Sequence, residues 1–188
     1  MSKLPIPNWQ SERPYIPNSS VNNAQTERYR FALSYCINKE ILDLFCGDGF
    51  GSEIISKTAK LVYGIDYSEE AIQYAKSLHQ HSNITYLVDK FPPIRLADNS
   101  FDVVIGLEAI EHVENDKKFL EESRRVLRPE GFLIICTPIF NPKIGVGRWH
   151  AREYCENDFR NLLSSYFKIE KFINPFPGQK LMAVCQKK

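Results

Sequence analysis

Glycines at 47, 49 and 51 follow the apolar run Ile41-Leu42-Asp43-Leu44-Phe45-Cys46 at alternate positions. Bare backbone there permits a tight turn with positive φ and lets a ligand press close, because no Cβ intervenes. A helix can start just after the turn, so unbonded N–H groups would face that ligand. Acids sit around the same feature. Asp43 lies inside the run, Asp48 lies in the turn, and Asp66 follows Gly47 by 19 residues at the end of a second apolar run. A carboxylate at that position can accept hydrogen bonds from both ribose hydroxyls of an adenosine. Asp89 ends a third apolar run, and Glu108, Glu111 and His112 follow a fourth. His112 suits general-base work near neutrality, and Glu111 beside it could tune the ring. Two other readings of residues 108–112 stay open: a metal cluster of Glu108, Glu111 and His112, with i and i+4 on one helix face, or a plain helix start where acids favour the dipole.

The elements that must position these groups alternate. Runs at 41–46, 61–65, 84–88, 101–106 and 132–136 read as buried strands of a parallel sheet. Between them, residues 52–60 continue from the glycine turn as a helix. The next helix is capped by Ser68, has Glu69 and Glu70 in its first turn, and buries Ala71, Ile72, Ala75 and Leu78. A third turns Phe119, Leu120, Ser123, Val126 and Leu127 inward and closes at Arg128-Pro129-Glu130-Gly131. Residues 138–152 are irregular, 156–165 helical, and 166–173 with 181–186 an antiparallel pair at the sheet edge. Before the first strand, Tyr29, Leu33, Cys36 and Ile37 share a helical face, with Glu27, Arg28 and Arg30 mostly elsewhere. Residues 1–23 resist regular structure through Pro5, Pro7, Pro14 and Pro17, yet Trp9, Tyr15 and Ile16 suit an arm packed over the site as well as a loose leader. The fold class is α/β: a doubly wound, seven-stranded, mostly parallel, Rossmann-like sheet with an antiparallel C-terminal hairpin strand. Ligands bind such sheets at the carboxyl ends of the strands, where Gly47, Asp66, Asp89 and the residues after Gly106 converge.

Composition narrows the function. The 188 residues suit one domain, with an arm and capping helix at 1–39, a cofactor-binding core at 40–137, and an acceptor-side loop, last helix and hairpin at 138–188. Lys+Arg at 24 against Asp+Glu at 23 gives a formal charge of +1, without the basic excess of a nucleic-acid binder. The cysteines at 36, 46, 136, 155 and 185 form no CxxC pair, which suits a reducing compartment, the cytoplasm, and no zinc site. No metal is assigned. No apolar run reaches the length of a membrane span.

An adenosine site serves NAD and S-adenosylmethionine alike. The spacing Gly-x-Gly-x-Gly lacks the third glycine one residue later that a pyrophosphate site wants. An acid at Asp43 suits a ligand carrying an ammonium and a sulfonium. With these features in place, the chain resembles a class I S-adenosylmethionine-dependent methyltransferase of the type 11 group from residue 40 onward. Ile41 to Gly49 resembles its glycine motif and Tyr63-Gly64-Ile65-Asp66-Tyr67-Ser68 its ribose motif. Asp98-Asn99-Ser100-Phe101-Asp102-Val103-Val104 resembles its fourth strand, and Glu108-Ala109-Ile110-Glu111-His112-Val113 the segment after it. Arg125-Val126-Leu127-Arg128-Pro129-Glu130-Gly131 resembles the turn into its fifth.

The resemblance implies S-adenosylmethionine as cofactor. Gly47 and Gly49 would line its methionine part, Asp43 or Asp48 steer its ammonium, and Asp66 hold its ribose. Tyr67 would flank the adenine, Asp89 accept from the adenine amino group, and Glu108 lie under the cofactor. Alternatives stay open: Asp43 bonding only backbone, Asp89 a cap, Tyr67 a core residue. The Glu-x-x-Glu-His run is also similar to that of some quinone-pathway O-methyltransferases thought to use a divalent ion. His150-Ala151-Arg152-Glu153-Tyr154 resembles a His-x-Arg-Glu-Tyr segment beside the acceptor pocket. It makes His150 a second candidate base and Arg152 and Tyr154 candidate substrate contacts, with a capping and salt-bridge role as the alternative. Ser11-Glu12-Arg13-Pro14 and the helix around Arg30 resemble methyltransferases of glycan pathways, so Arg13 and Arg30 join the candidate substrate contacts. The expected function is methyl transfer to a small or glycan-linked acceptor at oxygen; the alternative is a catalytically silent, methyltransferase-like binding module acting with a partner protein. Nucleic acid is disfavoured, because Gly106-Leu107-Glu108-Ala109 stands where base-methylating enzymes resemble one another in an Asn- or Asp-Pro-Pro-aromatic segment.

Overall fold

In the computed structural model, residues 23–148, 150–176 and 178–188 are described; Arg13, Trp9, Tyr15 and Ile16 lie outside them. In chain order the elements are α1 (Asn23–Cys36), β1 (Glu40–Leu44), α2 (Phe50–Ser56), β2 (Leu61–Asp66), α3 (Glu69–Leu78) and β3 (Ile84–Val88). There follow β4 (Phe101–Leu107), a 3₁₀ turn (Ile110–His112), α4 (Asp116–Val126), β5 (Leu127–Pro138), α5 (Glu156–Ser164), β6 (Phe167–Phe176) and β7 (Lys180–Lys187). The strands form one seven-stranded sheet in the order β3-β2-β1-β4-β5-β7-β6. Its first five members run parallel, and β7 is inserted antiparallel between β5 and β6.

The pleat explains why inner strands are apolar on both sides. Leu42, Val104 and Ile135 join one core with Phe119 and Leu120 of α4 and Phe159 and Leu163 of α5. Their neighbours Ile41, Val103 and Ile134 join the opposite core with Ala32 and Cys36 of α1 and Ile55 of α2. Successive residues of a strand point to opposite faces, so each covering layer is sealed by alternate side chains of the same strands. The cap of α3 is as expected: Ser68 Oγ accepts from the Ala71 N–H at 3.1 Å.

Several boundaries differ from expectation. The helix after the glycine turn stops at Ser56 rather than 60. Leu78, expected in a buried stripe, is 49% exposed at the last turn of α3. The buried stripe of α1 is rotated: Arg28, Ala32 and Cys36 are buried, whereas Ile37 is exposed. Leu127 is buried but opens β5, pairing with Phe101. Residues 128–131, read as a turn, are an irregularity inside that strand, after which Phe132 pairs with Val103. The bend is taken by Glu130 at φ 61°. Residues 108–112 begin no α-helix; Glu108 takes φ 57° and a single 3₁₀ turn follows.

Because β1 pairs with β2 on one side and β4 on the other, the chain reverses its direction of growth between β1 and β4. A crevice opens there at the carboxyl ends of the strands. Among the described residues, no helix is long and apolar enough to cross a membrane.

Candidate active site

The glycine turn is fixed from behind. Asp66, 4% exposed, accepts from the Gly47 N–H at 2.9 Å through one oxygen and from the Ser68 N–H at 3.0 Å through the other. Asp66 thereby ties the glycine turn to the start of α3. Gly47 and Gly49 take φ of 54° and 81°, which side chains resist. A Cβ at Gly49 would also meet the Tyr86 hydroxyl at 2.6 Å. Asp43 is fully buried behind the turn, where it accepts from Ser52 Oγ at 2.7 Å and Tyr29 Oη at 3.3 Å. It thereby joins β1 to both α1 and α2. Asp48 is half-buried and accepts from the Phe50 N–H at 3.3 Å, bracing the start of α2.

Beyond Asp66 the rim is aromatic. Tyr67 is 44% exposed and meets Phe45 edge-on at 6.2 Å, and Phe45 meets Phe91 at 6.0 Å. Asp89 accepts from the Arg95 N–H at 2.9 Å, and its other oxygen lies 3.4 Å from Arg95 Nε. Sequence reasoning missed Phe91, although it stands two residues after an acid that was singled out.

On the β4 side, Glu108 bonds the Lys180 ammonium of β7 and accepts from the Cys136 thiol at 3.5 Å. Glu111 is fully buried; Thr137 Oγ1 donates to one of its oxygens at 3.1 Å, and the other has no hydrogen bond among the described residues. Burial, and then the nearby Glu108 carboxylate, push its pKa well above the ordinary carboxylate range. The Ala151 N–H donates to the Glu111 carbonyl at 2.7 Å, strapping the 138–152 loop onto the turn. This brings His150 edge-on to His112 with ring centroids 5.1 Å apart. One donor atom from each of Glu111, His112 and His150 lies within 4.8 Å of the others. His150 thus stands where Glu108 was expected, because Glu108 turns to Lys180.

The remaining candidates serve other contacts. Arg152 pairs with Asp116 at 2.7 Å and donates to the Glu114 carbonyl, and the buried Tyr154 donates to Asp116 at 3.1 Å. Both therefore hold the loop to the start of α4. Arg30 is exposed and pairs with Glu27 at 2.8 Å. Arg28, by contrast, is 6% exposed and makes no hydrogen bond or ion pair among the described residues. It lies near the Cys136 thiol, whose pKa burial and Glu108 raise and the Arg28 charge lowers. The missed signal is its spacing, four residues before Ala32 and eight before Cys36 on the buried stripe.

Known proteins share this frame. A family model described as a methyltransferase domain matches residues 42–135. A Mycolicibacterium smegmatis relative, named a probable S-adenosylmethionine-dependent methyltransferase, is 30% identical over 152 residues, 78% of this chain and 58% of that protein. The chain therefore spans somewhat over half the length of that relative. A ubiquinone biosynthesis O-methyltransferase from Pelagibacter ubique is 35% identical over 103 residues, 53% of this chain and 42% of its own. Among solved structures, a Pyrococcus horikoshii protein superposes with a TM-score of 0.81 at 22% identity, covering 97% of this chain and all of that one. A SAM-dependent methyltransferase from Aquifex aeolicus gives 0.72 at 22% identity, covering 86% and 89%. These two show the likeness of fold. Since the matched segment runs from β1 into β5 and carries most of the ligand end of the sheet, the chain belongs to the class I, type 11 family of methyltransferase domains, whose cofactor is S-adenosylmethionine.

Proposed function

We propose that this chain moves the methyl group of S-adenosylmethionine to a hydroxyl of a small or sugar-linked acceptor. The observation that carries the reading is Asp66, whose carboxylate is bonded to the backbone of both the glycine turn and α3. A carboxylate at this place, the tip of β2 beside the glycine turn, suits the two ribose hydroxyls of an adenosine. The Tyr67, Phe45 and Phe91 rim would take the adenine, with Asp89 at its amino group. Gly47 and Gly49 would lie along the methionine part, and Asp48 near its ammonium. Arg28, 6% exposed and in no ion pair among the described residues, supplies a positive charge that suits the cofactor's carboxylate. Glu108, paired with Lys180, would form the floor under the sulfonium.

The bound sulfonium is already activated, so the protein must align the acceptor oxygen with the methyl carbon and ease the loss of its proton. The Glu111, His112 and His150 cluster suits the second task. Similarity to an O-methyltransferase favours oxygen as the methylated atom. A formal charge of +1 and the absence of an Asn- or Asp-Pro-Pro segment after β4 favour a small acceptor over nucleic acid. Five cysteines, none in a disulfide, suit a cytoplasmic setting. We read the chain as one unit in which residues 40–137 hold the cofactor and 138–188 face the acceptor.

Calorimetric titration tests the cofactor half. S-adenosylmethionine and S-adenosylhomocysteine should bind and NAD should not, and Asp66→Ala should weaken both adenosyl ligands by at least about 10- to 100-fold. Turnover is then sought with UDP-glucose, GDP-mannose and catechol as hydroxyl probes. Absence of adenosyl binding in the folded protein would defeat the proposal.

A further inference from the structure

The ring of His150 sits in a closed circuit of contacts made by its own loop. Its Nδ1 lies 2.7 Å from Glu153 Oε1, with the two side chains only 17% and 9% exposed. The same oxygen accepts from the Gly147 N–H at 3.1 Å, and the His150 N–H donates to the Gly147 carbonyl at 2.9 Å. A Cβ on Gly147 would fall 2.7 Å from His150 Nδ1 and 3.2 Å from Glu153 Oε1, so the circuit closes only around a glycine. The backbone N–H of the next residue, Ala151, anchors this loop to Glu111.

We infer that Glu153 is the positioning residue for His150, and that His150, through Nε2, is the group that takes the acceptor's proton. The inference rests on the methyl-transfer reading above and deepens it, choosing between two imidazoles. A carboxylate only accepts hydrogen bonds, so the proton of the neutral ring is held on Nδ1 and the lone pair is offered by Nε2. Among the described residues, the titratable groups that face the ring include Glu153 from its own loop and His112 and Glu111 from the 3₁₀ turn. In the step itself, the acceptor O–H proton passes to Nε2 as the oxygen forms a bond to the methyl carbon. The carbon–sulfur bond breaks, and its electron pair stays on sulfur. The products are the methyl ether, neutral S-adenosylhomocysteine and a protonated His150, whose Nδ1–H bond to Glu153 stabilises the charge.

The test uses the full chain, uniformly labelled with ¹⁵N, and long-range ¹H–¹⁵N spectra that report which ring nitrogen bears the proton. Neutral His150 should show protonated Nδ1. Glu153→Leu, which removes the acceptor, should shift it toward the Nε2–H form, Glu153→Asp should keep Nδ1–H, and His112 should be unchanged in both. A wild-type His150 protonated on Nε2, or one indifferent to Glu153→Leu, overturns the inference. So does a pattern that collapses on dialysis against EDTA, since a bound metal ion would then set the tautomer. None of these spectra depends on cofactor, so their failure is distinct from failure of the cofactor titration. In turnover with whichever hydroxyl probe is methylated, Glu153→Gln should lower kcat by about 10- to 100-fold with KM and cofactor affinity kept within about twofold. Loss of cofactor affinity in equal measure would make the loop a structural strap only.

Discussion

A methyl group added at Gly51 would land 1.9 Å from the Tyr29 ring, inside the contact through which α1 lies on α2. Gly51→Ala should therefore destabilise the protein by about 1–3 kcal/mol in urea unfolding, the cost of overpacking a filled interior. Tyr29 also donates to Asp43, so the variant should bind S-adenosylhomocysteine more weakly as well. Adding Tyr29→Ala removes the ring that collides, and the double variant should be more stable than the sum of the single losses predicts. Strict additivity would mean that the ring and the glycine are not in contact. At this scale the sequence was legible where residue type dictates the role. Ser68 before a helix caps it, as its chemistry suggests. It was not legible for Arg28, because an arginine on a helix is ordinarily assigned to the solvent face. Nor does any property of glutamate announce that Glu108 will take a positive φ.

Between elements, a charge network fastens the start of β1 to the ends of its neighbours. Arg128 bonds Glu40 at 2.6 Å and Asp102 at 3.0 Å, while Lys60 bonds Glu40 at 2.8 Å. The Lys60 and Arg128 hydrogen bonds hold the Glu40 pKa down at about 2. A carboxyl whose folded pKa is depressed stabilises the fold above its ordinary pKa, and that contribution is lost as pH falls toward about 2. Glu40→Gln should thus lower Tm by about 2–4 °C at pH 7, since the network is partly exposed, and the difference should vanish near the acid end. A gap that persists at pH 2 would assign the effect to packing. Arg152 makes a second junction, between the 138–152 loop and α4. Arg152→Ala should cost about 1–3 kcal/mol in thermal unfolding; a variant of unchanged stability and raised acceptor KM would return Arg152 to substrate contact. Element order was readable from alternating apolar runs and amphipathic stretches. The irregularity at 128–131 was not, because Arg-Pro-Glu-Gly reads as a turn, and only the pairing of Leu127 with Phe101 reveals a strand that bends and resumes.

Thiols spread through the molecule test whether α1 belongs to the cofactor site. Cys155 is exposed, whereas Cys36, Cys46, Cys136 and Cys185 are buried in α1, the glycine turn, β5 and β7. Burial pushes the Cys36 and Cys185 thiols up to about 12 and Cys136 well above its ordinary value, so these groups react only when the structure opens. With excess Ellman's reagent near pH 8, one thiol per chain should react at once and the buried ones slowly. Their rates then report different openings. Cys185, in a strand flanked on both sides, waits for global unfolding, while Cys36 is released when α1 lifts from Ile41 and Val103. A ligand slows only those openings that destroy its site, by about 100-fold at one hundred times its Kd. If Arg28 receives the cofactor's carboxylate, lifting α1 breaks the site, and S-adenosylhomocysteine should protect Cys36 about as strongly as Cys185. In Arg28→Ala, at equal saturation, protection of Cys185 should persist and that of Cys36 should largely disappear. Equal protection of Cys36 in both proteins would mean that α1 is held by packing alone, leaving the Arg28 charge to another anion.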